Sequence, residues 1–213
     1  MKALIIAYGR LNSCQYLLQE AASSDVVICA DGGLEHAARC GITPDYMIGD
    51  FDSVSKTTLE NFRTSGVASI IYPPEKDYTD TEICMNKAIE LGADEICIAA
   101  GIGSRIDHSI GNIGLLHILT SKGIKACIIS DDCTIHMCRN SNFLLKGAPG
   151  DTVSIIPYGG NAEGITLKGL KYPLDNAVIP LGKPTGVSNV MVDMECSISI
   201  KNGEIIIIHY RNI

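Results

Sequence analysis

Two carboxylates stand two positions apart in the otherwise apolar stretch DYMIGDFDSVS: Asp50 and Asp52, neither with a Lys or Arg within three residues. On an extended backbone, positions i and i+2 face the same side, roughly 6.6 Å apart from the strand rise. At that distance two charges repel by about 2–3 kcal/mol at an effective dielectric of ~20. A solvated turn would offset this repulsion, and so would a bound cation.

Three further polar clusters follow apolar, strand-like runs, where open α/β sheets bind their ligands. In ADGG (30–33), Asp31 with Gly32 and Gly33 reads as a tight turn into a helix, either a simple capped turn or one that lets a ligand approach the backbone. In PPEKDYTDTE (73–82), Thr79 and Glu82 form a T-x-x-E capping box, which predicts a helix beginning at Asp80. Alone, Asp80 reads as an acidic first turn. Beside Asp50 and Asp52 at the same sheet edge, it reads as a third oxygen ligand for Mg²⁺. GIGSRIDH (101–108) resembles a glycine-rich phosphate loop, but Ile106 stands where G-x-G-x-x-G needs glycine, and no G-K-[ST] follows. Arg105 either grips a phosphate there or pairs with Asp107 or another acid.

Stepping outward from these clusters, residues 1–132 alternate short apolar strands with helical stretches, from ALIIAYG through IKACIIS. This predicts a mainly parallel α/β sheet covered on both faces. Beyond about residue 133 helical periodicity disappears. The runs TIHMCR, NFLLKG, TVSIIPYG, EGITLKGL, VMVDMECSISIKNG and EIIIIHY predict an all-β domain over 133–213, a β-sandwich or flattened barrel. Within it, IKNGE reads as a two-residue hairpin turn.

The formal charge of −7 leaves no basic surplus for nucleic acid. The opening apolar run is too short for a signal peptide, and no run reaches the ~18 residues of a membrane span. Nine cysteines without a C-x-x-C pair read as reduced thiols in a cytoplasm. The five histidines have no metal-like spacing, DDCTIHMC lacks tetrahedral-site spacing, and no G-x-S-x-G elbow is present.

Taken in order, ADGG, PDYMIGDFDS, DYTDTE, GIGSRIDHSIGN and the later GLKYPL…GVSN resemble the thiamine pyrophosphokinase family from about residue 28 to residue 190. The resemblance implies an ATP- and Mg²⁺-binding catalytic domain over 1–132, a thiamine-binding domain over 133–213, and a homodimer with active sites between subunits. It implies transfer of pyrophosphate from ATP to the hydroxyethyl oxygen of thiamine, giving thiamine diphosphate and AMP. Asp50, Asp52 and Asp80 match the family's Mg²⁺-binding acids, Arg105 and Asp107 its R-x-D element, Asp31 its D-G-G turn, and Ser188 and Asn189 the S-N pair at the thiamine end. Ser104 stands where the family often has Gly, and Lys76 stands where some relatives carry Gln and adds a cation beside the triphosphate. Asp80, then Asp107, are the candidate proton acceptors. Tyr172 either lines the thiamine pocket or belongs to the β core.

Two rival readings use the same clusters. A nucleotide-dependent oxidoreductase on the α/β domain would bind a dinucleotide without a divalent metal, and a nucleotide or vitamin sensor would need the pocket without reactive alignment.

Overall fold

Short runs of β-branched and aliphatic residues form the strands of the first 131 residues in the computed structural model, buried on both faces at the centre of the sheet and exposed at the Ala68–Ile71 edge. The structure describes residues 1–73 and 77–211, so Lys76 lies outside the described residues. The chain divides into two units, Met1–Asp131 and Asp132–Ile213.

In the first unit the order is β1 (Lys2–Ile6), α1 (Gln15–Ala22), β2 (Val26–Ala30), α2 (Gly33–Cys40), β3 (Tyr46–Gly49), α3 (Lys56–Thr64), β4 (Ala68–Ile71), α4 (Asp80–Glu90), β5 (Glu95–Ala99), α5 (Ile106–Ser121) and β6 (Lys125–Ile129). The sheet runs β4-β3-β2-β1-β5-β6, with every pair parallel. The strand order reverses between β1 and β5, the kind of position at which open α/β sheets bind ligands at the carboxyl edge. All of β2 is buried, as are all but the first residues of β1 and β5. Their side chains, with Leu17, Leu34, Met47, Phe51 and Phe62, fill the apolar core. Helix α4 begins at Asp80, with the Thr79 hydroxyl accepting from the Glu82 amide at 3.2 Å, as the capping pattern predicts.

The second unit contains β7 (Cys133–Arg139), β8 (Asn142–Lys146), β9 (Thr152–Lys168), β10 (Leu174–Ile179), a 3-10 turn (Pro184–Gly186), β11 (Asn189–Val190), β12 (Glu195–Ser199) and β13 (Asn202–Tyr210). The two runs TVSIIPYG and EGITLKGL are one strand, β9, because Gly159 at φ +69° turns the backbone without ending it. Strand β9 pairs antiparallel with β10, β11, β12 and β13 along its length. The IKNGE hairpin does not form. Asn202 pairs with Glu163 of β9, the Gly203 amide donates to Asn140 Oδ1 at 2.8 Å, and β13 lies between β7 and β9. Burial of Ile205 and Ile207 in this core overrides the local turn preference of Asn-Gly.

The expectation of nine reduced thiols also fails. Cys14, at the start of α1, is disulfide-bonded to Cys40, the last residue of α2, and the other seven cysteines are free. Their 26-residue separation carries no sequence signal; the fold brings the Cα atoms to 5.4 Å. Among the described residues, no helix is long and apolar enough to cross a membrane.

Candidate functional site

Strands β2 and β3 end side by side, and their last residues set the geometry of the acids. The Asp31 amide donates to the Ile48 carbonyl at 2.8 Å, and Asp31 itself sits at φ +42°. Strand β3 stops at Gly49, and Phe51 then adopts φ +64° with its ring only 6% exposed in the core. A left-handed conformation costs an aromatic residue about 1–2 kcal/mol, which burial of the ring offsets. The resulting turn replaces the extended i, i+2 arrangement expected for the pair, and the Asp52 amide donates to Asp50 Oδ1 at 3.2 Å. Glu35 of α2 fastens the far side of the loop, accepting from the Ser55 amide at 2.7 Å and the Thr58 hydroxyl at 3.0 Å.

As a result, Asp31, Asp50 and Asp52 each bring one carboxylate oxygen within 4.8 Å of the others. The sequence reading grouped Asp50 and Asp52 with Asp80 and left Asp31 in the turn. Among the described residues it is Asp31 that completes the tight group, because the β2–β3 pairing carries it there. Asp80 lines the same cleft from the first turn of α4. Burial raises the Asp31 carboxyl above the ordinary range, with the nearby Asp80 and Asp50 charges adding to the rise and hydrogen bonds from Ser53 and Gly32 opposing it. Its Oδ1 is buried without a hydrogen-bond partner among the described residues. Three hard oxygen donors, one of them desolvated and unsatisfied, suit Mg²⁺.

The acids open into a cleft of about 710 Å³ lined by Ala7–Arg10, Asp31, Asp50, Tyr78–Thr81 and the loop into α5. That loop is held by two residues of α5: the Gly103 amide donates to Ser109 Oγ at 3.1 Å, and Asn112 Nδ2 donates to the Gly101 carbonyl at 2.7 Å. Ser104 lines the cleft. Arg105 also lines it and forks onto Asp107, Nη2 to Oδ2 at 2.6 Å and Nε to Oδ1 at 3.3 Å, with both side chains largely exposed. The two readings of Arg105 are therefore compatible. The guanidinium holds the Asp107 carboxyl down at about 2.

Gly32 and Gly33 serve packing at this edge. A Cβ on Gly33 would lie 2.0 Å from the Ile6 carbonyl oxygen, and one on Gly32 would lie 2.3 Å from the Tyr8 ring. Sequence reasoning missed Tyr8, Arg10, Ser53 and His108, which line the cleft. For Arg10, the Gly9-Arg10 pair three residues beyond β1 was the available signal.

In the second unit, Ser188 is exposed at φ +60° with its amide donating to Ser154 Oγ at 3.0 Å. The buried Asn189 side chain accepts from the Tyr172 amide at 3.0 Å and the Val190 amide at 2.9 Å, and donates to the Tyr172 carbonyl at 2.7 Å. Asn189 therefore holds the Tyr172 backbone rather than presenting its amide to a ligand. The Tyr172 ring is 58% exposed, so it is not a core residue.

Residues 17–128 match the family model for the thiamin pyrophosphokinase catalytic domain, and residues 132–205 match the model for the thiamin pyrophosphokinase vitamin B1 binding domain. Thiamine pyrophosphokinase of Bacillus subtilis (strain 168) is 31% identical over 205 residues, covering 96% of each chain. Thiamine pyrophosphokinase 3 of Oryza sativa subsp. japonica is 27% identical, covering 93% of this chain and 82% of the relative. The crystal structure of the Bacillus subtilis thiamine pyrophosphokinase superimposes with a TM-score of 0.89 at 26% identity over the full length of both chains. That of the thiamin pyrophosphokinase from Candida albicans superimposes at 0.84, where 16% identity speaks for the fold alone.

Proposed function

The chain belongs to the thiamine pyrophosphokinase family, and on that premise we propose how its residues carry out ATP-dependent diphosphotransfer. The reaction moves the β,γ-pyrophosphoryl group of ATP to the hydroxyethyl oxygen of thiamine and releases AMP. The observation that carries the assignment to this cleft is the meeting of Asp31, Asp50 and Asp52, with one Asp31 oxygen buried and unsatisfied.

Asp31, Asp50 and Asp52 would hold Mg²⁺, with Asp80 adjacent. When bound, the ion neutralises phosphate oxygens and the charge that develops on them. Catalysis of phosphoryl transfer is mainly alignment and charge stabilisation, and the remaining parts suit that task. Arg105 presents a guanidinium whose orientation is fixed by Asp107. Lys76, outside the described residues, is proposed as a further cation on the segment before α4. Asp80 is the proposed acceptor of the thiamine hydroxyl proton. Asp107 is the weaker candidate, because its bond to Arg105 removes most of its basicity. In the second unit, Ser188 and the exposed ring of Tyr172, held by Asn189, are proposed to meet the cationic thiazolium.

A homodimer and a cytoplasmic location complete the proposal on the strength of the family resemblance. Sedimentation at a single-chain mass would remove the dimer. Incubation with ATP, Mg²⁺ and thiamine, followed by nucleotide separation, tests the reaction. AMP formed only when thiamine is present supports it, while ADP or no turnover overturns it.

A further inference from the structure

The loop between β1 and α1 is fastened more heavily than a passive connection requires. Its backbone continues alongside the β5–α5 loop, with Ala7 N to Ala99 O at 2.9 Å, Gly9 N to Ala100 O at 2.7 Å and Arg10 N to Ile102 O at 2.8 Å. The contact is so close that a Cβ on Gly9 would lie 2.3 Å from the Ala100 carbonyl oxygen, and one on Gly103 would lie 3.0 Å from the Gly9 Cα. From α2, His36 Nε2 bonds the Gly9 carbonyl at 2.9 Å, and Arg39 donates to the carbonyls of Leu11 and Asn12 at 2.9 and 2.8 Å. Asp131 accepts from the Asn12 and Ser13 amides at 2.7 and 2.8 Å, and the Cys14–Cys40 bond closes the loop.

What this scaffold presents to the cleft is Arg10, exposed and on the cleft wall. Among the described residues that line the cleft, Arg10 and Arg105 are the two arginines. Arg105 is engaged by Asp107, whereas Arg10 has no carboxylate partner among the described residues. A guanidinium without an ion-pair partner among the described residues, fixed at its backbone and standing in a cleft that also holds Asp31, Asp50 and Asp80, is matched to a ligand that brings negative charge of its own.

We propose that Arg10 is a second arginine for the polyphosphate chain of ATP, carried on a loop locked to the one that bears Arg105. The proposal rests on the reaction assigned above and adds a residue to it. Arg10 and Arg105 are carried on loops whose backbones are bonded together, so the spacing between their anchoring points is set before substrate arrives, and less order has to be imposed on binding.

The test compares Arg10→Gln, Arg10→Lys and the unaltered protein, with inorganic triphosphate as inhibitor against ATP. Arg10→Gln should raise the ATP KM and the triphosphate inhibition constant by about 10- to 100-fold, as expected for losing a charge-assisted contact. Its thiamine KM should stay within about twofold. Arg10→Lys should recover part of the loss. A triphosphate constant unchanged in Arg10→Gln, or a thiamine KM that rises as much as the ATP KM, would overturn the proposal. Should the unaltered chain form no AMP, the reaction fails on its own. Calorimetry of inorganic triphosphate with Mg²⁺ still reads the arginine: a tenfold or greater loss in Arg10→Gln supports it, and equal dissociation constants overturn it.

Discussion

The Asp31 amide donates to the Ile48 carbonyl at 2.8 Å, and this one bond between strand ends brings a D-G-G turn and a D-x-D loop into a single carboxylate group. Removing one member should expose its role. Asp31→Asn and Asp52→Asn are each expected to lower turnover by about 10²–10³-fold, the scale for losing one preorganised electrostatic group. The Asp31 carboxyl is raised in the fold, chiefly by desolvation. Its ionised form therefore opposes folding at neutral pH, and this opposition fades as pH falls through the raised value. In metal-free buffer Asp31→Asn should be at least as stable as the parent protein at pH 7, with the difference closing on acidification. Urea melts in chelator at pH 7 and pH 4.5 measure this. An Asp31→Asn protein less stable at pH 7 would contradict it.

Asp107→Asn separates orientation from proton acceptance. With the Asp107 carboxyl at about 2 beside Arg105, the ion pair is fully formed above the unfolded carboxyl range and fades only as pH falls toward that value. Nothing in it changes between pH 5 and pH 9. The substitution should raise the ATP KM several-fold while leaving both the melting temperature and the shape of the acid limb of kcat unchanged. A displaced acid limb would make Asp107, and not Asp80, the proton acceptor.

Ser188 and Asn189 are adjacent but should fail differently. Ser188→Ala is expected to raise the thiamine KM more than the ATP KM at unchanged stability. Asn189→Ala removes three hydrogen bonds around a buried amide and should cost about 1–3 kcal/mol of stability as well. Denaturant midpoints beside KM values for both substrates distinguish the two. Equal KM changes for ATP and thiamine in Ser188→Ala would remove it from the vitamin end.

Seven of the nine cysteines are free. Thiol titration of protein purified and denatured without reductant should therefore report seven reactive groups. Cys40→Ser should lower stability by about 3 kcal/mol, the entropic effect expected from closing a loop of this length. A titre of nine would mean that Cys14 and Cys40 are reduced.

The features legible in the sequence are those written in local chemistry. Thr79 and Glu82 define the first turn of α4, and the Asp50–Asp52 pair stands out because its repulsion demands a remedy. Asp31 as the third member of the acid group was not legible, since it depends on β2 lying beside β3 with Ala30 opposite Ile48. The Asn202–Gly203 turn misled for the opposite reason: a strong local preference lost to the burial of Ile205 and Ile207 between two strands. The buried staple of Asn189 on Tyr172 joins residues 17 apart in sequence, and neither position betrays it alone.

Strand β9 borders every strand of the second unit except β7 and β8, including β10 and β11, which flank Tyr172 and Ser188. On the roles proposed for Tyr172 and Ser188, vitamin recognition and the integrity of that unit are consequently one inheritance. Changes that retune selectivity toward thiamine analogues should carry a folding burden, and amide protons along β9 should exchange together, in one collective opening, rather than peel from an end.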